Sequence, residues 1–215
     1  MYIAVQILDM AIQAILTGDI VNSTQLTTRG EKKLLACLRQ LLSPYQYEFY
    51  RGDSFQVYVK RAEEALPLAL LCRTAAISIG SNGPAASDIR ISIGIGDVKM
   101  PVTSLGTAKG EAFILSGRAF DAMASNSTRL AIAATEPLAN EGLHITADYC
   151  NALFSTMTGK QAAVIFELLK GESQQAVATR LKKSKSTISQ HVTAGRWLEL
   201  ERLLQHYKNI INLLP

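Results

Sequence analysis

One stretch near the C-terminal end of the chain, residues 173–196, limits the possible folds more than any other. It reads Ser-Gln-Gln-Ala-Val-Ala-Thr-Arg-Leu-Lys-Lys-Ser-Lys-Ser-Thr-Ile-Ser-Gln-His-Val-Thr-Ala-Gly-Arg. Ser173 can cap one short helix, Lys182–Ser184 can form a turn, and Ser184 or Ser186 can cap a second helix. The inward-facing positions would be Ala176, Val177 and Leu181, then Ile188 and Val192. Two short helices joined by a tight turn are typical of a helix-turn-helix that reads DNA.

A supporting helix is predicted just before this pair. Gln161–Lys170 has apolar residues at helical spacing, and Gly171 can close the helix as a C-terminal cap. The small side chain of Ala176 would let the second helix of the pair cross the first closely. These features together predict a small all-α domain over residues 158–215.

The polar and basic residues of the pair would face outward, towards DNA. Early residues of the second helix would reach base edges, where Gln suits adenine and Ser or Thr suits either base pair. Arg180, Lys182 and Lys183 would contact phosphates, which set affinity rather than sequence preference. The full predicted DNA-binding set is Arg180, Lys182, Lys183, Lys185, Ser186, Thr187, Ser189, Gln190, His191 and Arg196. The alternative is a helical hairpin whose basic face is merely solvated.

The charge of the chain is distributed unevenly, in agreement with a polyanionic partner. Residues 158–215 carry nine Lys or Arg and four Glu, a net charge of +5. Residues 1–157 carry thirteen basic and fourteen acidic residues, a net charge of −1. A nearly neutral segment followed by a basic one indicates that a polyanion binds at the C-terminal end. We therefore expect double-stranded DNA as the partner.

The last segment, Arg196–Leu214, predicts a helix with two possible roles. Its apolar residues alternate at three- and four-residue spacing, as in the seam of a coiled coil. They are Trp197, Leu200, Leu204, Tyr207, Ile211 and Leu214. This spacing suits a short coiled coil, which would make the protein a homodimer. It suits equally a helix packed onto its own domain.

The longer N-terminal part of the chain predicts an α+β domain. Its segments come in the order strand, helix, two hairpin strands, helix, strand, helix, strand, which contains a ferredoxin-like βαββαβ core. They are Ala11–Thr17, Thr28–Leu42, Tyr45–Tyr50, Ser54–Lys60, Ala62–Ala76, Ile89–Val98, Gly110–Met123 and Arg129–Ala134. We expect this domain to span residues 1–135 and a helical connector to span residues 136–157. The helix-turn-helix domain, with a C-terminal dimerisation helix, would then span residues 158–215.

Composition and cysteine usage favour a cytoplasmic protein without a membrane partner. No apolar run reaches the roughly 18 residues needed to cross a bilayer. Residues 1–10 lack the basic start and the cleavage site of a secretory signal. Cys37, Cys72 and Cys150 are far apart and odd in number, so they predict neither a disulfide framework nor a metal site.

Two aspartates of the N-terminal domain predict a metal site. Asp19 would end the first strand and Asp53 would lie in the hairpin turn, so both would sit at one end of the sheet. Two carboxylates there repel each other unless a cation or a proton joins them, and Mg²⁺ or Mn²⁺ prefers such oxygen ligands. Asn22, Ser23 and Thr24 would hold nucleotide phosphates together with the loop amides. Each aspartate could instead be an ordinary turn residue.

Four short motifs come in the order of the class III nucleotidyl cyclase catalytic motifs. They are Gly18-Asp19-Ile20-Val21, Arg51-Gly52-Asp53-Ser54-Phe55, residues 90–98 and residues 110–118. With residues 184–197 added, the layout resembles the SatD family, in which a cyclase-like domain is fused to a helix-turn-helix. The resemblance covers roughly residues 11–130 and 158–197.

The resemblance implies a site that retains only part of the cyclase machinery. Asp19 and Asp53 match the two aspartates that bind divalent ions. Arg118 matches the arginine that steadies the transition-state phosphates. Ile114 replaces the asparagine that orients the ribose, and Phe49 replaces the lysine that reads adenine in adenylyl cyclases.

The aspartate that partners this lysine is also replaced, by Thr107. Apolar side chains cannot donate the missing hydrogen bonds, and the loss of one in the transition state costs about 10²–10³ in rate. We therefore predict a DNA-binding transcriptional regulator whose degenerate cyclase-like domain senses a nucleotide or metal, or mediates dimerisation. The alternatives are an active class III nucleotidyl cyclase with a DNA-binding tail, and a protein-interaction module. Class III catalytic sites form between two subunits, so the resemblance also implies a homodimer.

Overall fold

The computed structural model describes residues 12–23, 26–80, 87–125 and 127–214. Within these ranges one sheet contains β1 (Gln13–Val21), β2 (Gln46–Tyr50), β3 (Ser54–Val59), β4 (Asp88–Gly96) and β5 (Leu130–Ala134). The α-helices there are α1 (Thr28–Leu42), α2 (Ala65–Ile79), α3 (Glu111–Ala122), α4 (Pro137–Ser155), α5 (Gly159–Leu169), α6 (Gln174–Leu181), α7 (Lys185–Ala194) and α8 (Trp197–Ile211). The chain is a mixed α+β protein, as the sequence predicts.

The sheet has the strand order β2-β3-β1-β4-β5. β1 is antiparallel to β3 and β4, and β3 is antiparallel to β2. α1 connects β1 to β2, and α2 connects β3 to β4, which gives a ferredoxin-like βαββαβ arrangement. α3 then leads to β5, which pairs in parallel with β4. The predicted element order and fold class are confirmed.

The two faces of the sheet differ because successive side chains of a strand point to opposite sides. On one face, Leu16, Val57 and Ile93 belong to a large apolar core that also contains α1 and α2. On the other face, polar residues alternate with these positions along the three central strands. α3 covers part of this second face and lies close to β4, since a Cβ at Gly94 would come within 2.1 Å of the Ala112 carbonyl.

The C-terminal helices pack onto the sheet domain. α5 packs along α2, and α8 contacts α4 and the short turn at Ala62–Glu64. The same apolar core runs from Leu16 in β1 to Ile188 in α7. The connector predicted at 136–157 is helical, as α4, and it packs against β5. The boundaries 1–135, 136–157 and 158–215 stay a prediction.

The apolar stripe of α8 is used inside the chain. Leu200, Leu203, Tyr207 and Ile211 are buried, and the Tyr207 hydroxyl donates a 2.6 Å hydrogen bond to the carbonyl of Ala62. Of the two roles predicted for this helix, packing onto its own chain is therefore the one observed. These buried residues are therefore not accessible to a partner helix.

Several element ends differ from the sequence prediction. β1 extends to Val21, so Asp19 lies within the strand rather than at its end, because its backbone continues to pair with β3 and β4. Ala11, the first residue of the strand predicted at Ala11–Thr17, lies outside the described residues. Pro67 lies in the first turn of α2, where no backbone N–H donor is required.

No helix in the described ranges is both long and apolar enough to span a bilayer. Cys72 and Cys150 are buried and Cys37 is half-buried, and all three are free thiols. Burial raises the pKa of each of these thiols, which keeps them protonated at neutral pH.

Candidate nucleic-acid interface and polar cleft

The pair α6 and α7 owes its geometry to two caps and one turn. The Ser173 hydroxyl accepts a hydrogen bond from the Ala176 N–H at 3.2 Å, and the Ser184 hydroxyl accepts one from the Thr187 N–H at 3.1 Å. Between the helices, Lys182 adopts the left-handed backbone conformation with φ of 53°, which ends α6. Both predicted caps and the predicted turn are confirmed.

The small buried residue of α6 is Ala178 rather than Ala176. Ala178 is buried beside Val177, whereas Ala176 is half-exposed. Helical periodicity explains this difference, because one face of α6 carries positions 174, 177, 178 and 181. Ile188 and Val192 of α7 are buried as predicted.

Two of the predicted DNA-contacting cations are engaged within the chain. The Arg180 guanidinium forms ion pairs with Glu167, at 3.1 Å, and with Glu172. Arg196 Nε donates to Glu199 Oε1 at 2.6 Å. This hydrogen bond and the opposite charge raise the pKa of Arg196 and lower the pKa of Glu199. Both arginines would have to exchange a carboxylate for a phosphate to contact DNA.

Three lysines around the turn, unlike these arginines, have no carboxylate partner among the described residues. Lys182, Lys183 and Lys185 are exposed, and none of them forms an ion pair with any residue in the described part of the chain. They occupy the turn and the first residue of α7. The turn therefore presents three positive charges to solvent within four residues.

The outer face of α7 is polar. The Ser186 and Thr187 hydroxyls each lie 2.9 Å from the Ser184 hydroxyl, so these three residues form one capping cluster. Ser189 and Gln190 are exposed on the next turn, and His191 is half-buried. Gln190 is thus the long amide side chain available on this face.

A second group of polar residues lies on the sheet, where Arg90 and Asp19 form an ion pair. Arg90 Nε and Nη2 donate to the two carboxylate oxygens of Asp19 at 3.2 and 2.8 Å. The Arg90 guanidinium also lies over the Phe120 ring, 4.7 Å from its centroid. The two charged residues are direct partners in the register of β1 and β4. Arg90 therefore engages both oxygens of the aspartate for which a metal is predicted.

Asp53 lies at the same end of the sheet, as predicted. Its carbonyl accepts a 3.2 Å hydrogen bond from the Ile20 N–H, and its neighbour Ser54 pairs with Asp19 in the register of β1 and β3. In the described ranges no group of three or more His, Cys, Asp or Glu side chains is placed to hold a metal ion. With Asp19 bound to Arg90, the residues do not fit Mg²⁺ or Mn²⁺ as they stand. A cation there would have to displace the guanidinium, and the metal stays a prediction.

The polar face of the sheet forms one wall of a cleft of about 410 Å³. Thr17, Ser54 and Gln56 supply polar groups from β1 and β3. Tyr50 and Phe113 supply aromatic rings from β2 and α3. The Thr17 hydroxyl accepts hydrogen bonds from Ser116 Oγ at 2.8 Å and Gln56 Nε2 at 3.3 Å, which fixes the polar floor.

Glu48 attaches the loop 98–109 to the rim of this cleft. Its carboxylate accepts from the Tyr50 hydroxyl at 2.6 Å and from the Leu105 N–H at 2.8 Å. These two hydrogen bonds lower the pKa of Glu48. Burial, together with the hydrogen bond to Glu48, raises the pKa of Tyr50 to about 12, so this phenol remains a donor.

Of the remaining predicted site residues, Arg118, Asn22 and Ser23 do not line the cleft. Arg118 is exposed on α3 and has no ion pair among the residues described. Asn22 is exposed with a left-handed φ of 56°, and the Ser23 carbonyl accepts from the Leu26 N–H at 3.1 Å. Thr24 lies outside the described residues. The proposed grouping of Asn22, Ser23 and Thr24 around phosphate stays a prediction.

The structure also describes the three positions at which the resemblance implies that a cyclase residue has been replaced. Phe49 packs against Phe55 on the apolar face of the sheet, with ring centroids 5.7 Å apart, so it does not face the cleft. Ile114 and Thr107 are exposed. None of these three side chains lines the cleft.

Sequence reasoning did not assign functions to Arg90, Tyr50 or Gln56. The alternation of side chains along each strand indicates which residues share a face. Once β1 and β4 are paired, Arg90 and Ser92 lie on the same face as Thr17 and Asp19. That pairing depends on the strand register, which cannot be read from either segment alone.

No protein-family model matches the sequence, and no curated protein matches it. Among solved structures, a bacterial light-regulated adenylyl cyclase is similar at 16% sequence identity with a TM-score of 0.38. The similarity covers 57% of this chain and 42% of that one, so less than half of the cyclase's own length is matched.

Proposed function

We propose that this protein binds double-stranded DNA through α6 and α7, as a helix-turn-helix transcriptional regulator. The observation that carries the proposal is the exposed basic turn, in which Lys182, Lys183 and Lys185 have no carboxylate partner among the described residues. Unpaired lysines can contact phosphates without first breaking an internal ion pair.

The roles of the other residues follow from their position on α7. Ser189 and Gln190 face solvent one turn after the basic turn, where they can reach base edges if α7 enters the major groove. Ser186 and Thr187 lie at the start of α7, as in helices whose first residues contact bases. Arg180 and Arg196 would add phosphate contacts only after leaving their glutamates, so we expect smaller effects from them.

The proposal includes a homodimer, because two copies of α7 could then contact half-sites about 34 Å apart. The buried stripe of α8 cannot supply that contact. On the outer face of α4, Leu138, Ile145 and Tyr149 are exposed along a single stripe. If two α4 helices pair antiparallel about Ile145, Leu138 faces the partner's Ala152, and Glu141 faces the partner's Tyr149. Such a two-fold contact would bury the exposed apolar residues of this stripe against a second copy of α4.

The test measures binding of a labelled 30-base-pair duplex by fluorescence anisotropy across a range of KCl concentrations. We expect log affinity to fall linearly with log salt, and replacement of Lys182, Lys183 and Lys185 by Ala to reduce the slope by about three. The matched control replaces Lys60, Lys99 and Lys109, which are exposed lysines of the sheet domain, and leaves the slope unchanged. Equal loss in both triple variants would indicate only a general charge effect and would overturn the proposal.

A second candidate function is recognition of a nucleotide in the polar cleft. The cleft combines aromatic rings from Tyr50 and Phe113 with hydrogen-bonding groups from Thr17 and Gln56, which suits a planar, polar base. Titration calorimetry with each nucleoside triphosphate and Mn²⁺, with product analysis of the same samples, tests it. Binding without turnover supports a sensor, turnover supports a nucleotidyl cyclase, and no binding removes this candidate.

A further inference from the structure

A groove of about 580 Å³ lies between the sheet domain and α8, far from the polar face of the sheet. Its walls come from the end of α1, the first turns of α2 and one side of α8. Most of the lining is apolar, including Pro67, Leu68 and Leu204. A concave apolar site of this size with a few polar groups is the usual form of a small-molecule pocket.

Two aromatic side chains border the groove from opposite sides. Trp197 begins α8, and Tyr45 follows α1; both are half-buried. The Tyr45 hydroxyl donates to Glu64 Oε2 at 3.3 Å, and burial followed by the nearby Glu64 charge raises the pKa of Tyr45 to about 12. The faces of such rings attract cations.

The charged groups of the groove are mainly acidic. Glu63, Glu64 and Glu201 line it, against a single cationic lining residue, Lys208. Arg61 forms ion pairs with Glu63 and Glu64, but its side chain is 59% exposed, so these are surface pairs of small free energy. Glu201 has no ion-pair partner in the described part of the chain.

We propose that this groove binds a lipophilic cation, an organic molecule with an apolar, aromatic body and a positive charge. The leucine and proline side chains would bury the body. Glu201 and Glu64 would neutralise the charge, which is necessary because an unpaired charge is costly to remove from water. Tyr45 and Trp197 would add ring contacts to the same charge.

The groove is placed to influence α7. Only two residues, Gly195 and Arg196, separate the end of α7 from the start of α8. The other end of α8 is held by the hydrogen bond from the Tyr207 hydroxyl to the Ala62 carbonyl. A ligand between α2 and α8 would therefore shift α8 relative to the sheet domain and move α7 with it. An effect on DNA affinity rests on the proposed function, whereas binding in the groove does not.

The experiment uses the intrinsic fluorescence of Trp197, which is the single tryptophan of the sequence. The full-length protein is titrated with tetraphenylphosphonium and, separately, with tetraphenylborate, an anion of nearly the same shape. We expect saturable quenching by the phosphonium and binding at least tenfold weaker by the borate. Equal affinity for both ions, or no binding of the phosphonium up to its solubility limit, overturns the proposal.

Two variants locate the site. Glu201→Gln should weaken phosphonium binding about fivefold, and Glu64→Gln should weaken it by a similar factor. Glu31→Gln removes the same charge from an exposed position near the start of α1, outside the groove, and should leave binding unchanged. Thermal unfolding of each variant by circular dichroism establishes that it is folded. Unchanged binding in both groove variants overturns the assignment, and DNA anisotropy of the same samples independently reports whether the proposed function holds.

Discussion

Arg90 joins β4 to β1 through a two-point ion pair with Asp19, and Phe120 of α3 covers the guanidinium. The two side chains are about one-fifth exposed, so water screens the pair only in part. The Asp19 carboxylate, for which the sequence predicts a metal ion, thus already has a cationic partner within its own chain.

Arg90→Met should lower the free energy of unfolding by about 1–3 kcal/mol, because the half-buried Asp19 carboxylate loses two charged hydrogen bonds. Urea unfolding at pH 7 measures this change. Arg118→Met removes an exposed arginine of α3 and should stay within about 0.5 kcal/mol of the wild type. The same Arg90 variant should bind Mn²⁺ more tightly, since Asp19 is then free. Weaker Mn²⁺ binding would mean that Arg90 organises a metal site rather than replacing one.

Ionisation of Glu48 should make the free energy of unfolding, and the attachment of the loop 98–109, depend on pH in the acid range. Its pKa is lowered in the folded protein by the Tyr50 hydroxyl and the Leu105 N–H. A group with a depressed folded pKa stabilises the fold above its unfolded pKa and loses that contribution as the pH falls through the folded value. Glu48→Gln should therefore cost about 1 kcal/mol at pH 7 and much less at an acid pH below the folded pKa of Glu48. A difference that is equal at both pH values would contradict an ionised Glu48.

The order and type of the elements could be predicted from the sequence because their signals are local. Thr28–Leu42 is a helix with the predicted bounds, since Thr27 caps it and its leucines recur at helical spacing. The Arg90–Asp19 pair could not be predicted, because it depends on the register between β1 and β4. The intramolecular role of α8 could not be decided either, since the same spacing suits a partner helix and the chain's own core.

Which alanine of α6 is buried, Ala176 or Ala178, could not be predicted from the sequence either. Both are small residues in the same short helix, and the burial of Ala178 depends on how α6 rotates against α5 and α7. Ala178→Leu should destabilise the protein by about 1–3 kcal/mol, because it overpacks a closed core, whereas Ala176→Leu should be nearly neutral. Urea unfolding followed by circular dichroism measures both. The opposite ranking would restore the assignment predicted from the sequence.

The last prediction concerns a homodimer that forms through the outer face of α4. Ile145 is 68% exposed at the centre of the stripe, where it would meet its symmetry copy. Ile145→Glu places two like charges together at that centre and should convert a dimer to a monomer in sedimentation velocity. Because two linked copies of α7 bind two half-sites together, the variant should also lose at least tenfold in affinity for a two-site duplex. Ile114→Glu introduces the same charge at a 54% exposed isoleucine of α3, a different helix, and should alter neither result. A dimer that persists in Ile145→Glu would exclude this surface, and a monomeric wild type would contradict paired half-site binding.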